Sequence, residues 1–213
     1  MPPTIAFEGV GVARSGTTIL RHVDLTVEPG EVVGITGPNG TGKTTLLRVA
    51  ATLLLPAAGS ATVLGEPVGT PGARRVRPRI GLVGHQPALA EHLTLAEQLR
   101  FHADLAGLPH DGIGRALAAV GLAEAADRRT SQVSAGMARR ADLARIVLTR
   151  PELLLLDEPD AGLDAEATGV VDALTRATVG RGGSVLVVSH DPRRVDQLCD
   201  RMVRIVGGTV EAA

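Results

Sequence analysis

Residues 4–28 alternate apolar and polar positions and are rich in β-formers, from Ile5-Ala6-Phe7 through Ile19-Leu20 to Leu25-Thr26-Val27. A period of two predicts an antiparallel β-layer, closed by the turn at Pro29-Gly30. The pattern then changes. Glu31-Val32-Val33-Gly34-Ile35-Thr36 is an apolar run that reads as a buried strand, and Thr45-Leu46-Leu47-Arg48-Val49-Ala50 has helical spacing. That helix is expected to run to about Leu55 and stop at Pro56. Ala61-Thr62-Val63-Leu64 and Ile80-Gly81-Leu82-Val83-Gly84 read as short strands, with residues 65–78 a Gly/Pro-rich loop between them. Arg74, Arg75, Arg77 and Arg79 in this region read as a solvated face.

From 88 to about 150 the spacing is helical. Thr94-Leu95-Ala96-Glu97 has capping-box spacing and predicts a helix starting at Leu95. Asp111 and Ser134 are candidate N-caps, and Gly107 and Gly121 candidate stops. Leu153–Leu156 and Val185–Val188 are continuously apolar, as expected of parallel strands covered on both faces. Residues 201–206 and 209–210 flank Gly207-Gly208 as a closing hairpin. The reading is one α/β domain over 1–213. Residues 1–87 and 151–213 form the core, and 88–150 a helical insertion.

Composition narrows the function classes. A net charge of −1 gives no electrostatic footprint for nucleic acid. The single Cys199 excludes an internal disulfide, which fits a reducing compartment. No basic-then-apolar leader and no apolar run of spanning length is seen, so any membrane role is expected to come through a partner. The only aromatics of the Phe/Trp/Tyr type are Phe7 and Phe101, which leaves little to stack on a base.

Between the apolar run and the helix stands Gly37-Pro38-Asn39-Gly40-Thr41-Gly42-Lys43-Thr44, followed by Thr45. It meets the P-loop pattern G-x-x-x-x-G-K-[ST] at every fixed position. A strand, a glycine-rich turn and a helix N-terminus make an anion site, because backbone N–H groups turn inward and the helix dipole favours negative charge. Lys43 is placed to reach the β- and γ-phosphates of a nucleoside triphosphate, and the Thr44 hydroxyl to ligand Mg²⁺. The acidic half of such a site is expected at the end of a strand beside the P-loop. Leu153–Leu156 run straight into Asp157-Glu158. Asp157 suits the metal-side carboxylate, and Glu158 a general base for water attack on the γ-phosphate. His190 ends the Val185–Val188 strand region and could bond a γ-phosphate oxygen, or could be structural.

The order of P-loop, Gln86, Ser-x-Gly, Leu-Leu-Leu-Leu-Asp-Glu-Pro, Ala-Gly-Leu-Asp and Ser-His resembles the ATP-binding subunit of an ABC transporter over nearly the whole chain. The resemblance implies a RecA-like P-loop core with a helical subdomain, using ATP and Mg²⁺. It implies that Gln86 contacts the metal or water and senses the membrane partner, and that His190 is the switch histidine. Ser134, Ala135, Gly136 and Met137 stand where the family has its signature, and Asp164 where it has the D-loop aspartate. It further implies a second ATP-binding subunit, identical or not, whose P-loop faces this signature, and a transmembrane permease partner that holds the chain at the cytoplasmic face of the membrane.

Three departures stand out. Ala135 replaces a signature glycine, which would be awkward at positive φ, and Met137 replaces the glutamine and cannot donate hydrogen bonds. Arg14 stands about where the family has its adenine-stacking aromatic; a guanidinium can stack on a base, or Arg14 can be a solvated charge. The segments Gly84-His85-Gln86-Pro87 and Leu93–Leu99, with the Ser-Ala-Gly signature, are similar to those of cytochrome c maturation (haem exporter) ATP-binding subunits. The rival class is an ATP-responsive binding clamp or regulator with weak hydrolysis.

Overall fold

The structure is a computed structural model that describes residues 1–160 and 165–212. It opens with the strands β1 (Ile5–Arg14), β2 (Thr17–Val27) and β3 (Val32–Thr36), followed by the helix α1 (Lys43–Ala50). Next come β4 (Ala58–Val63), β5 (Glu66–Pro67), α2 (Pro71–Val76) and β6 (Ile80–Val83). The helices α3 (Leu95–Ala106), α4 (Ile113–Ala119) and α5 (Ala135–Thr149) follow. Then come β7 (Leu153–Asp157), α6 (Ala165–Val179), β8 (Ser184–Val188), α7 (Pro192–Leu198), β9 (Arg201–Val206) and β10 (Thr209–Ala212).

Two sheets result. The first is antiparallel, in the order β2-β1-β4-β5. The second has the order β10-β9-β3-β8-β7-β6, parallel except for β10. The continuous apolar runs follow from two covered faces. On β7, Leu153 and Leu155 pack into a core shared with Phe7, Leu20, Leu46 and Leu47, whereas Leu154 and Leu156 pack with Leu95, Leu99 and Ile146 of the helical side. Leu186 and Val188 of β8 take the first side, Val185 and Val187 the second. This mixed α/β architecture, with a P-loop core, an N-terminal antiparallel layer and helices inserted between β6 and β7, is the expected fold class.

Four local expectations need correction. The helix α1 ends at Ala50, well short of Leu55: Thr52 adopts φ 58°, and the Leu53 and Leu54 N–H groups both return to Arg48 O. That left-handed turn closes the helix before proline is reached. Residues 65–78 hold β5 and α2, not only loop. Thr70 caps α2 by accepting from Ala73 N at 3.3 Å, with Pro71 at its first position. Asp111 does not cap α4; it lies in a 3-10 turn, and the N-cap is Gly112. In the second sheet β8 lies between β3 and β7. The arginine-rich stretch is also more engaged than a solvated face: Arg77 donates to Thr52 Oγ1 and O, and Arg79 forms a two-pronged pair with Glu152 at 2.6 and 2.5 Å. Apart from Asp111, the helical region keeps its predicted caps, with a full capping box at Thr94/Glu97, Ser134 capping α5 and Gly107 left-handed at the end of α3.

Candidate nucleotide site

The parallel register aligns the strand ends that build the site. Ile35 of β3 pairs with Val188 of β8, and Val188 with Asp157 of β7. The loops that leave these three strands therefore open on one edge, the C-terminal edge where parallel α/β sheets bind ligands. The Gly37–Gly42 loop needs its glycines for space as well as for conformation. A Cβ on Gly37, at φ 145°, would stand 2.5 Å from Ile205 O. One on Gly42, at φ 105°, would stand 2.6 Å from Leu20 Cδ2.

A cavity of about 550 Å³ lies on this edge. Asn39, Gly40, Gly42, Lys43, Thr44 and Thr45 form one side, and Asp157, Glu158 and His190 another. Lys43 is 7% exposed, and its ammonium donates to Gly37 O at 2.7 Å and Pro38 O at 2.9 Å. Two of its three protons are thus held by the loop, leaving one for an anion. The Thr44 hydroxyl donates to Asp157 Oδ2 at 2.8 Å, so α1 reaches across β8 to the end of β7. Two hard oxygen atoms side by side at the C-terminal edge of the sheet suit Mg²⁺, so the donor set fits the metal. Thr41 Oγ1 instead donates to Pro38 O at 2.9 Å and shapes the turn.

Glu158 takes φ 51°, a left-handed conformation that costs a non-glycine residue about 1–3 kcal/mol. Several bonds hold it there. Its N–H donates to Val188 O at 2.9 Å, and its carboxylate Oε2 accepts from the His190 N–H at 3.2 Å. The same oxygen meets His190 Nδ1 at 2.7 Å. Glu158 and His190 are therefore one unit, although they lie on different loops.

Not every expected residue lines this cavity. Gln86 and Arg14 are exposed and are not part of its wall. Arg14 sits at the β1–β2 hairpin, paired in register with Thr17. His85 and Ile19 line the cavity instead, and the sequence offered no signal for either beyond their neighbours. The signature residues stand apart from the cavity in this chain. Ser134 is the N-cap of α5, its hydroxyl accepting from Met137 N at 3.2 Å. Ala135 is the first helical residue and is not among the positive-φ positions, so its methyl carries no backbone strain. A Cβ on Gly136 would meet nothing within 4 Å, and Met137 packs on the helical core. Asp164 lies outside the described residues.

Comparison with known proteins agrees with this geometry. The family described as ABC transporter matches residues 20–161. The daunorubicin/doxorubicin resistance ATP-binding protein of Streptomyces peucetius is 38% identical over 99% of this chain, which spans 65% of that relative's length. The cytochrome c biogenesis ATP-binding export protein of Cupriavidus necator is 38% identical over 88% of this chain and 83% of its own. Among solved structures, a dimeric ATP-binding cassette in a post-hydrolysis state with ADP and phosphate superposes with a TM-score of 0.85. It is 25% identical, and the match covers 97% of this chain and 96% of that one. The chain belongs to the ABC transporter family. Within that family it is an ATP-binding subunit, an ATPase by class.

Proposed function

We propose that this chain is the ATP-hydrolysing motor of an ABC exporter, acting as a dimer, with an identical or a different partner, on a membrane-embedded permease. The observation that carries the reading is the cavity that gathers Lys43, Thr44, Asp157, Glu158 and His190. Lys43 has a proton free for the β- and γ-phosphates, and the loop N–H groups supply the rest of the cradle. Thr44 and Asp157 would hold Mg²⁺, which when bound offsets charge on the phosphates. Glu158 takes the proton of the attacking water, and His190 holds its carboxylate in place. Separation of Ser134–Met137 from this cavity supports a signature that serves the partner's nucleotide rather than the chain's own.

No helix among the described residues is long and apolar enough to cross a membrane. Coupling in this reading runs through a permease at the cytoplasmic face, with Gln86 and the helical subdomain as the coupling side. Export is the direction supported by the cytochrome c biogenesis relative. Haem is the cargo we take for the finer reading, on the likeness to the cytochrome c biogenesis relative; the equally identical daunorubicin/doxorubicin resistance relative supports drug export as the alternative. Affinity capture of the chain from mild detergent in ATP, with the co-purifying membrane chain identified, tests the partnership. The complex should turn over ATP several-fold faster than the isolated chain. Equal rates would remove the coupling claim.

A further inference from the structure

We propose that Arg139 is a positioning residue for Glu158, fastening the catalytic loop to the helix that begins with the signature; this rests on the hydrolysis reading above. Arg139 lies on α5, five residues beyond the Ser134 cap, and is 3% exposed. Its guanidinium donates to three backbone carbonyls on two different loops. Nη1 bonds Gly84 O, at the end of β6 and two residues before Gln86. Nη2 bonds Glu158 O at 3.1 Å, and Nε bonds Pro159 O at 3.3 Å. The planar fork of arginine fits this spread of acceptors; a point-charged ammonium cannot reach all three at once.

A charge in this place is expensive. Burial pushes the Arg139 pKa down, opposed by the fields of Asp142, Asp160 and Asp157. A well-packed apolar residue would fasten α5 to the sheet without that desolvation cost. Nor is Arg139 needed to attach the helix. Farther along α5, Arg145 donates to Leu82 O at 2.7 Å and pairs with the fully buried Asp142 at 3.0 Å. Leu143 and Ile146 are buried in the helical core as well. What Arg139 adds is a grip on the two loops at the cavity. One of its acceptors is the carbonyl of Glu158 itself, whose left-handed backbone needs restraint from more than one side. Any shift of the first turns of α5 is thereby passed to the Glu158 backbone and to the segment leading into Gln86. Occupation of the signature by a partner's nucleotide would in this way set the aim of the base.

Steady-state kinetics on the full chain with Mg²⁺-ATP test this, using Arg139→Gln, Arg139→Lys and Glu158→Gln beside the wild type. Nucleotide Kd and melting temperature are read for each. Arg139→Gln should lower kcat by about tenfold or more through misplacement of the base. KM and Kd should stay within about twofold, because the phosphate cradle is untouched. Arg139→Lys should recover part of kcat. Wild-type kcat in Arg139→Gln beside an inactive Glu158→Gln would overturn the proposal. So would parallel loss of kcat, nucleotide binding and melting temperature in both Arg139 variants, which would make Arg139 a structural staple. Wild-type hydrolysis by Glu158→Gln would instead sink the hydrolysis reading, and this inference with it.

Discussion

The Glu158 carboxylate is held 2.7 Å from His190 Nδ1, and it also accepts the His190 main-chain N–H. Glu158 follows β7 and His190 follows β8, so the pair exists only because those strands are neighbours in register. It joins a half-buried acid to an exposed imidazole. His190→Ala should leave the carboxylate only the main-chain N–H of residue 190 and lower kcat by about tenfold or more, with little change in ATP affinity. His190→Gln, which can still donate a hydrogen bond, should lose less. Phosphate-release assays with parallel nucleotide titrations check this. An equal loss in both variants would argue that the imidazole acts on the nucleotide and not on Glu158.

Lys43 meets only carbonyl dipoles in the bonds that hold it, Gly37 O and Pro38 O. Its remaining proton and its charge await an anion. Lys43→Ala should weaken ATP binding by about tenfold or more, the scale of a lost charge-assisted contact to phosphate. Fluorescent-nucleotide titration measures it. Unchanged affinity would mean that the loop N–H groups alone hold the phosphates.

The base should be read poorly. Arg14 is exposed and off the cavity wall, whereas Ile19, an aliphatic side chain, lines it. An aromatic stack would contribute about 1–3 kcal/mol, and neither Phe7 nor Phe101 lines the cavity. ATP and GTP should therefore compete nearly equally. Arg14→Ala should change neither affinity, and Ile19→Ala should weaken both by about 1 kcal/mol of lost apolar cover. A strong ATP preference that vanishes in Arg14→Ala would restore the guanidinium stack.

His102 on α3 is half-buried near Arg145, and burial first, then that positive charge, holds its pKa down to about 4 from the usual 6.5. Protonation thus favours the unfolded chain. The stability this group contributes is fully present above about pH 6.5 and is lost as the pH falls toward about 4. The urea midpoint should drop across that window, and His102→Gln should make the drop shallower. Identical slopes would remove His102 from the acid response.

The sequence was most legible where local chemistry is self-contained. The P-loop, the Thr94/Glu97 capping box, the Ser134 cap and the apolar β7 and β8 all carry their own signals. Where geometry depends on distant partners, the signal was absent. Nothing in the spacing of α1 could show the left-handed Thr52 turn, since Leu53 through Leu55 continue the apolar pattern past the true end. The insertion of β8 between β3 and β7 is a matter of strand order, which periodicity does not encode. Nothing in the local sequence marks Arg139, because its three acceptors are carbonyls scattered from Gly84 to Pro159.

Phosphate release by the purified chain, wild type against Glu158→Gln, with ATP affinity measured on both, is the most direct test of the account. The wild type should hydrolyse Mg²⁺-ATP. Glu158→Gln should bind ATP as tightly while turnover falls by about a hundredfold or more, the range expected for loss of a general base. Hydrolysis by Glu158→Gln at the wild-type rate, with binding intact, would contradict the assignment of the base.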